Sequence, residues 1–112
     1  MVRFLVLYEK PNDVKAFEHH YREVHIPLTK KLEGLRRYTL SRNIAPIRGG
    51  EPYYLVAELD WDDLPSLQRA FQSPEGRKTG QDVADNLARW CPGVRSMVYE
   101  LGDVLTPSSP GN

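Results

Sequence analysis

The chain has no excess of charge of either sign. Fifteen lysines and arginines offset fifteen aspartates and glutamates among 112 residues. Nucleic acid and anionic membranes attract a basic field, so neither is expected as the main partner. Cysteine is almost missing. Cys91 stands alone, which excludes an intrachain disulfide and fits a reducing, cytoplasmic setting. Long apolar runs are missing too. The run from Phe4 to Tyr8 is far short of the roughly 20 residues that span a bilayer. It is also too short for a signal-peptide core and has no small-residue cleavage site after it. No repeat of solenoid length is present. Two histidines four apart on one helix, the spacing a zinc helix needs, do not occur, so no metal is expected. Gly49-Gly50 lacks the strand-to-helix setting of a phosphate loop and reads as turn punctuation.

What is present is an alternation of two periods. Val2 to Glu9 is apolar on both alternating faces, the mark of a strand buried on both sides. Pro11-Asn12-Asp13 offers a turn and a helix cap. Val14, Phe17, Tyr21, Val24, Leu28 and Leu32 then recur at helical spacing. Pro27 lies inside this stripe and is expected to kink or loosen the last turns. Gly34 is the natural stop. Leu35 to Arg42 and Tyr53 to Trp61 read as two further strands, joined through a long loop carrying Pro46, Gly49, Gly50 and Pro52. Asp62 or Asp63 can cap a short helix through Leu64, Leu67, Ala70 and Phe71. Ser73-Pro74-Glu75 restarts the helix, with Val83, Leu87 and Trp90 on one face, and Pro92-Gly93 ends it. Val94 to Leu101 is the last strand.

The order β-α-β-β-α-β is the ferredoxin-like α+β arrangement, a four-stranded antiparallel sheet with both helices on one face. Residues 1–103 form the expected domain, and 104–112, rich in proline and serine, a flexible tail. Two helices cover only one side of such a sheet. The apolar residues on its other side call for a cover, and a second copy of the chain is the simplest one. Stacked sheets would also enclose a partly apolar cavity suited to a small ligand.

His25 stands out as the candidate general acid or base, because imidazole titrates near neutral pH. It sits beside the apolar stripe, one turn after Tyr21 and just before Pro27. The competing reading is a helix-end histidine bonding a free carbonyl above Pro27. Tyr38 could donate to a carbonyl or a developing oxyanion, or could simply pack in the core. Arg36 and Arg42 share the alternation of Tyr38. One of them could meet a substrate carboxylate, or both could face solvent. Tyr21, Arg36 and Leu40 make up the candidate binding wall around His25 and Tyr38. His19 falls on the far side of the helix, His20 at the other edge of the stripe, and the three histidines share no common face. Trp61 and Trp90 read as core residues, and Cys91 as an inert small apolar one.

Several of these segments together resemble the EthD family of the dimeric α+β barrel superfamily. They are Glu9-Lys10-Pro11, then Phe17, Tyr21, His25, Pro27 and Leu28, then Gly34-Leu35-Arg36-Arg37-Tyr38, and later Ser73-Pro74-Glu75-Gly76 with Asp82 and Asn86. The resemblance spans Val2 to Leu101. It implies a homodimer, a pocket between the sheet and the first helix, and no cofactor. The family takes its name from a protein tied to fuel-ether degradation, and the superfamily includes isomerases and cofactor-free oxygenases. The chain also resembles the methylmuconolactone methylisomerases. In those enzymes a histidine of the first helix and a tyrosine of the second strand serve the active site, and these match His25 and Tyr38. A mid-chain cysteine used there has no counterpart, since Cys91 lies near the last strand. The resemblance thus implies a protein that binds a small, largely apolar carbonyl or aromatic compound. It would act as a cofactor-free isomerase, cyclase or oxygenase, or as a non-catalytic binding or auxiliary protein of a catabolic or biosynthetic pathway.

Overall fold

The computed structural model describes residues 1–104. The expected tail, 104–112, lies outside the described residues except for Val104. Strand β1 (Val2–Tyr8) leads into helix α1 (Val14–His20), a π-helical turn (Tyr21–His25) and helix α2 (Ile26–Lys30). Strands β2 (Arg37–Ser41) and β3 (Leu55–Trp61) follow. Then come helices α3 (Leu64–Gln72) and α4 (Pro74–Asp82), a second π-helical turn (Val83–Leu87), a short α5 (Ala88–Trp90) and strand β4 (Val94–Glu100). The sheet order is β2-β3-β1-β4, and every neighbouring pair is antiparallel. This is the ferredoxin-like fold expected from the element order.

The caps are those the sequence offers. The Asp13 carboxylate accepts from the Ala16 amide at 3.0 Å, and Asp63 from Ser66 at 2.9 Å. Ser73 Oγ accepts from Gly76 at 3.1 Å. Asp63, not Asp62, is therefore the cap of α3; Asp62 pairs with Arg36 instead. Gly76 is required because α4 starts hard against the end of α3. A Cβ there would lie 2.1 Å from the Ala70 carbonyl oxygen. The first helical arm ends at Lys30, capped by Lys31, ahead of the expected stop; Gly34 lies in the turn that leads to β2, at φ 72° with Trp61 packed against it. The Trp61 indole N–H donates to the Glu33 carbonyl at 2.9 Å, which ties this turn to β3.

The strands are shorter than the sequence suggests at their outer ends. Leu35 and Arg36 precede β2, and Tyr53 and Tyr54 precede β3. Pro27 does not break the first arm. A proline ring clashes with the carbonyl four residues back in a regular helix. Here the π-turn inserts one extra residue just ahead of it. The Ile26 amide donates to Tyr21, five residues back, and Pro27 occupies the first turn of α2.

Even-numbered β1 residues face the helices. Phe17 is fully buried there, its ring 5.5 Å from both Tyr8 and Tyr21 and 6.0 Å from Tyr54. Odd-numbered β1 residues face the uncovered side. There Leu5 lies across from Met97, and Leu7 across from Val56. Phe17→Ala removes the central ring of the aromatic cluster. It is expected to cost about 3–5 kcal/mol of unfolding free energy in urea titrations, the usual range for a buried phenylalanine.

Candidate functional site

A cavity of about 210 Å³ lies between the helix-facing side of the sheet and the two helical arms. Phe4, Val6, Ala57, Leu59, Phe71 and Val83 give it apolar walls. Tyr8, Tyr21, His25, Thr29, Tyr38, Thr79 and Ser96 supply its polar groups. The cavity is thus inside one chain. It lies on the sheet face opposite the one where stacked sheets would have enclosed it.

His25 is buried, with 4% exposure. Its Nδ1 is 2.9 Å from Asp82 Oδ2. His20 Nε2 is 2.7 Å from the other carboxylate oxygen, Oδ1. Asn86 Nδ2 donates to that same oxygen at 2.8 Å. Burial pushes the Asp82 carboxyl up, but the bonds from His20, Asn86 and His25 outweigh it and hold the group below its ordinary range. Asp82 is therefore an anion near neutral pH. An ionised carboxylate only accepts, so each histidine must donate to it. This fixes the His25 proton on Nδ1. Its Nε2 then carries a lone pair and has no hydrogen-bond partner among the described residues. Burial lowers the His25 pKa, Asp82 opposes that shift, and His20 adds to it. The ring is accordingly neutral and able to take a proton.

His20 and His25 meet at one carboxylate although the sequence placed them on different faces. Five residues span about 500° on a regular helix, which leaves the two about 140° apart. The π-turn between them bonds i to i+5 and brings such residues onto neighbouring positions. His20 is further packed by Trp90, ring to ring at 5.6 Å. The reading of His25 as a partner of a free carbonyl does not hold. Its own carbonyl is taken by Thr29 Oγ1 at 2.9 Å, while its ring turns to Asp82.

Tyr38 reaches the cavity from β2. Its hydroxyl is 3.0 Å from that of Tyr21. Burial raises the pKa of both phenols, so they stay protonated, with the Tyr8 hydroxyl beside Tyr21 and the Thr29 hydroxyl beside Tyr38. The Tyr21 ring stacks 4.9 Å from His25. His25 and the tyrosine pair thus form a polar edge on the cavity, with Asp82 behind the histidine.

Three candidates from the sequence lie elsewhere. Arg36 is exposed and bonds Asp62 through both Nε and Nη2, at 3.1 and 2.8 Å. It precedes β2, so the strand alternation that would have aimed it inward does not apply to it. Leu40 shares the helix-facing side with Tyr38 and packs against the core, but does not line the cavity. Arg42 is held by Glu18 at 2.8 and 3.2 Å, and Glu18 also accepts from Tyr54. The Cys91 thiol is buried and pushed up to about 11 by burial and by Glu9, which removes it as a nucleophile near neutral pH. Asp82 was the residue the pattern reading missed as a site group. Its partner histidine is 57 positions away, and only its place in the family-like segment hinted at it.

The EthD domain matches residues 10–89. A protein of Rhodococcus erythropolis, described as an uncharacterised 11.0 kDa protein of the thcB–thcC intergenic region, is 31% identical over 86 residues. That match covers 76% of this chain and 82% of the relative. The chain belongs to the EthD family. A crystal structure of an EthD family protein from Bacillus halodurans superposes with a TM-score of 0.80 at 35% identity, covering 91% of this chain and 99% of the other. The cofactor-independent oxygenase SnoaB of Streptomyces nogalater shares the fold, with a TM-score of 0.67 at 17% identity, covering 95% and 97%.

The native His25 pKa lies below the unfolded value of 6.5. Its contribution to stability is therefore complete above that value and is lost as pH falls through it toward the native one. Asp82 resists the downward shift, so Asp82→Asn is expected to lower the His25 pKa further. Titration of the His25 ring signals by NMR in wild type and variant checks both directions.

Proposed function

We propose that this EthD protein binds a small, largely apolar ring compound bearing oxygen and moves a proton on it. One observation carries the reading. A buried histidine, anchored through Nδ1 by an ionised aspartate, keeps its second nitrogen free on a cavity that also holds a paired tyrosine hydroxyl. An aspartate bonded to Nδ1 holds the imidazole tautomer and stabilises the imidazolium that forms on proton uptake. His25 Nε2 is the base. A tyrosine O–H on the cavity supports charge developing on oxygen. No step requires a cofactor, and an isomerase, cyclase or cofactor-independent oxygenase would each start from such a proton abstraction. An engineered apolar cavity of about 150 Å³ takes benzene, so this space suits a single substituted ring.

The test does not need the natural substrate. α-Angelica lactone is neutral, small and enolisable. The wild-type protein is expected to speed its isomerisation and its uptake of deuterium from heavy water, followed by NMR. His25→Gln should abolish the effect. Asp82→Asn, which removes the group that holds the tautomer, should cut it by up to about 10⁴-fold. Binding without any proton exchange would sink the catalytic reading and leave a ligand-binding or auxiliary protein.

The working form in this reading is a homodimer. The uncovered sheet face presents Leu5, Leu7, Val56 and Met97 from three adjacent strands, with Met97 43% exposed. Sedimentation at micromolar concentration should show a dimer, and Leu7→Lys should shift it toward monomer while leaving the cavity-side residues in place. A wild-type monomer would end the proposal of a second copy on this face.

A further inference from the structure

We infer that the ligand of this cavity is uncharged and carries an acceptor oxygen and a proton donor in one polar group. This rests on the proposed binding role of the cavity and adds the charge and polarity of what it admits.

No lysine or arginine lines the cavity. The arginines that strand alternation might have aimed at a substrate carboxylate are both engaged elsewhere. Arg36 is bound by Asp62 at the surface, and Arg42 by Glu18. Arg3 lies on the opposite sheet face, in ion pairs with Glu58 and Asp60. Lys78 lines a separate surface hollow beside Asp85. A carboxylate entering the cavity would lose its water and find no positive partner, which is strongly unfavourable. Among the described residues, the one formal charge bonded to the site is Asp82, and it is negative. The imidazole does not replace a cation, because its Nδ1–H already points at that carboxylate and the pair together is at most neutral.

Hydrogen bonding narrows the ligand further. The hydroxyls of Tyr8, Tyr21 and Tyr38 on the cavity offer O–H donors, and His25 Nε2 offers a lone pair. The complement is an acceptor oxygen beside a donor, as in a phenol, an enol or an amide. A carboxylate offers acceptors alone and would set an oxygen against the Nε2 lone pair, which is an unpaired contact on both sides. The cavity thus discriminates by what it withholds as well as by what it offers.

Benzamide and benzoate test this directly, since they share ring and size and differ in charge and in the donor. Titrations near neutral pH are read at the His25 ring and Val83 methyl signals, so that only binding within the cavity counts. Benzamide is expected to bind at least about tenfold more tightly than benzoate, a difference of about 1.4 kcal/mol. Equal or tighter binding of benzoate at those signals would overturn the inference while leaving the cavity a binding site. Perturbation by neither compound would overturn the inference together with the proposed function.

Discussion

The Asp82 carboxylate is the point on which the two helical arms and the site depend. It lies on the second arm, and its three bonding partners come from both arms: His20 and His25 from the first, Asn86 from its own. A buried carboxylate is costly unless its lone pairs are met, and these three donors meet them. The same bonds that make the charge tolerable also fix the spacing of the arms above the sheet, and that spacing sets the height of the cavity. Removing Asp82 would leave His20 and His25 facing each other with no acceptor between them. Removing either histidine would leave part of a buried charge unmet. The site therefore contributes to the fold, and stability and chemistry draw on one set of hydrogen bonds.

Both arms carry a π-turn at this junction. The first spans Tyr21–His25 and the second Val83–Leu87. Such insertions weaken a helix locally and persist mainly where they position something. In the first arm the turn serves two needs at once. It makes room for Pro27, and it swings His20 and His25 toward one carboxylate. In the second arm it follows Asp82 directly, and Asn86, four residues on, donates to that carboxylate. Tyr21, at the start of the first turn, meets Tyr38 from β2. Two groups of the polar edge, Tyr21 and His25, lie in this first π-turn.

The sheet and its helical cover were legible because alternation and helical periodicity act locally. Strand positions and the caps at Asp13 and Ser73 each depend on residues a few places apart. The failures have equally local causes. Arg36 read as a neighbour of Tyr38 only under an assumption that β2 begins before it; the strand starts at Arg37, and Arg36 turns to Asp62. His20 read as separate from His25 because a regular helix was assumed, and a π-turn leaves no clear trace in hydrophobic spacing. Pro27 was the one visible hint that regular geometry fails there. Asp82 was invisible as a ligand of histidine because long-range polar pairing has no period to read.

The central strand shows why binding and assembly need not compete. Successive residues of a strand point to opposite sides of the sheet. In β1, Phe4 and Val6 line the cavity, while Leu5 and Leu7 lie on the uncovered face. A ligand and a second copy of the chain would thus press on the same backbone from opposite sides without sharing a side chain. Changes at Leu5 or Leu7 can alter assembly with the cavity walls intact, and changes at Phe4 or Val6 can reshape the cavity with the outer face intact. Coupling between the two would have to pass through displacement of β1 itself, and that strand is hydrogen-bonded on both edges to β3 and β4. A strand so held resists displacement, so the two faces are expected to behave as nearly independent surfaces of one rigid layer.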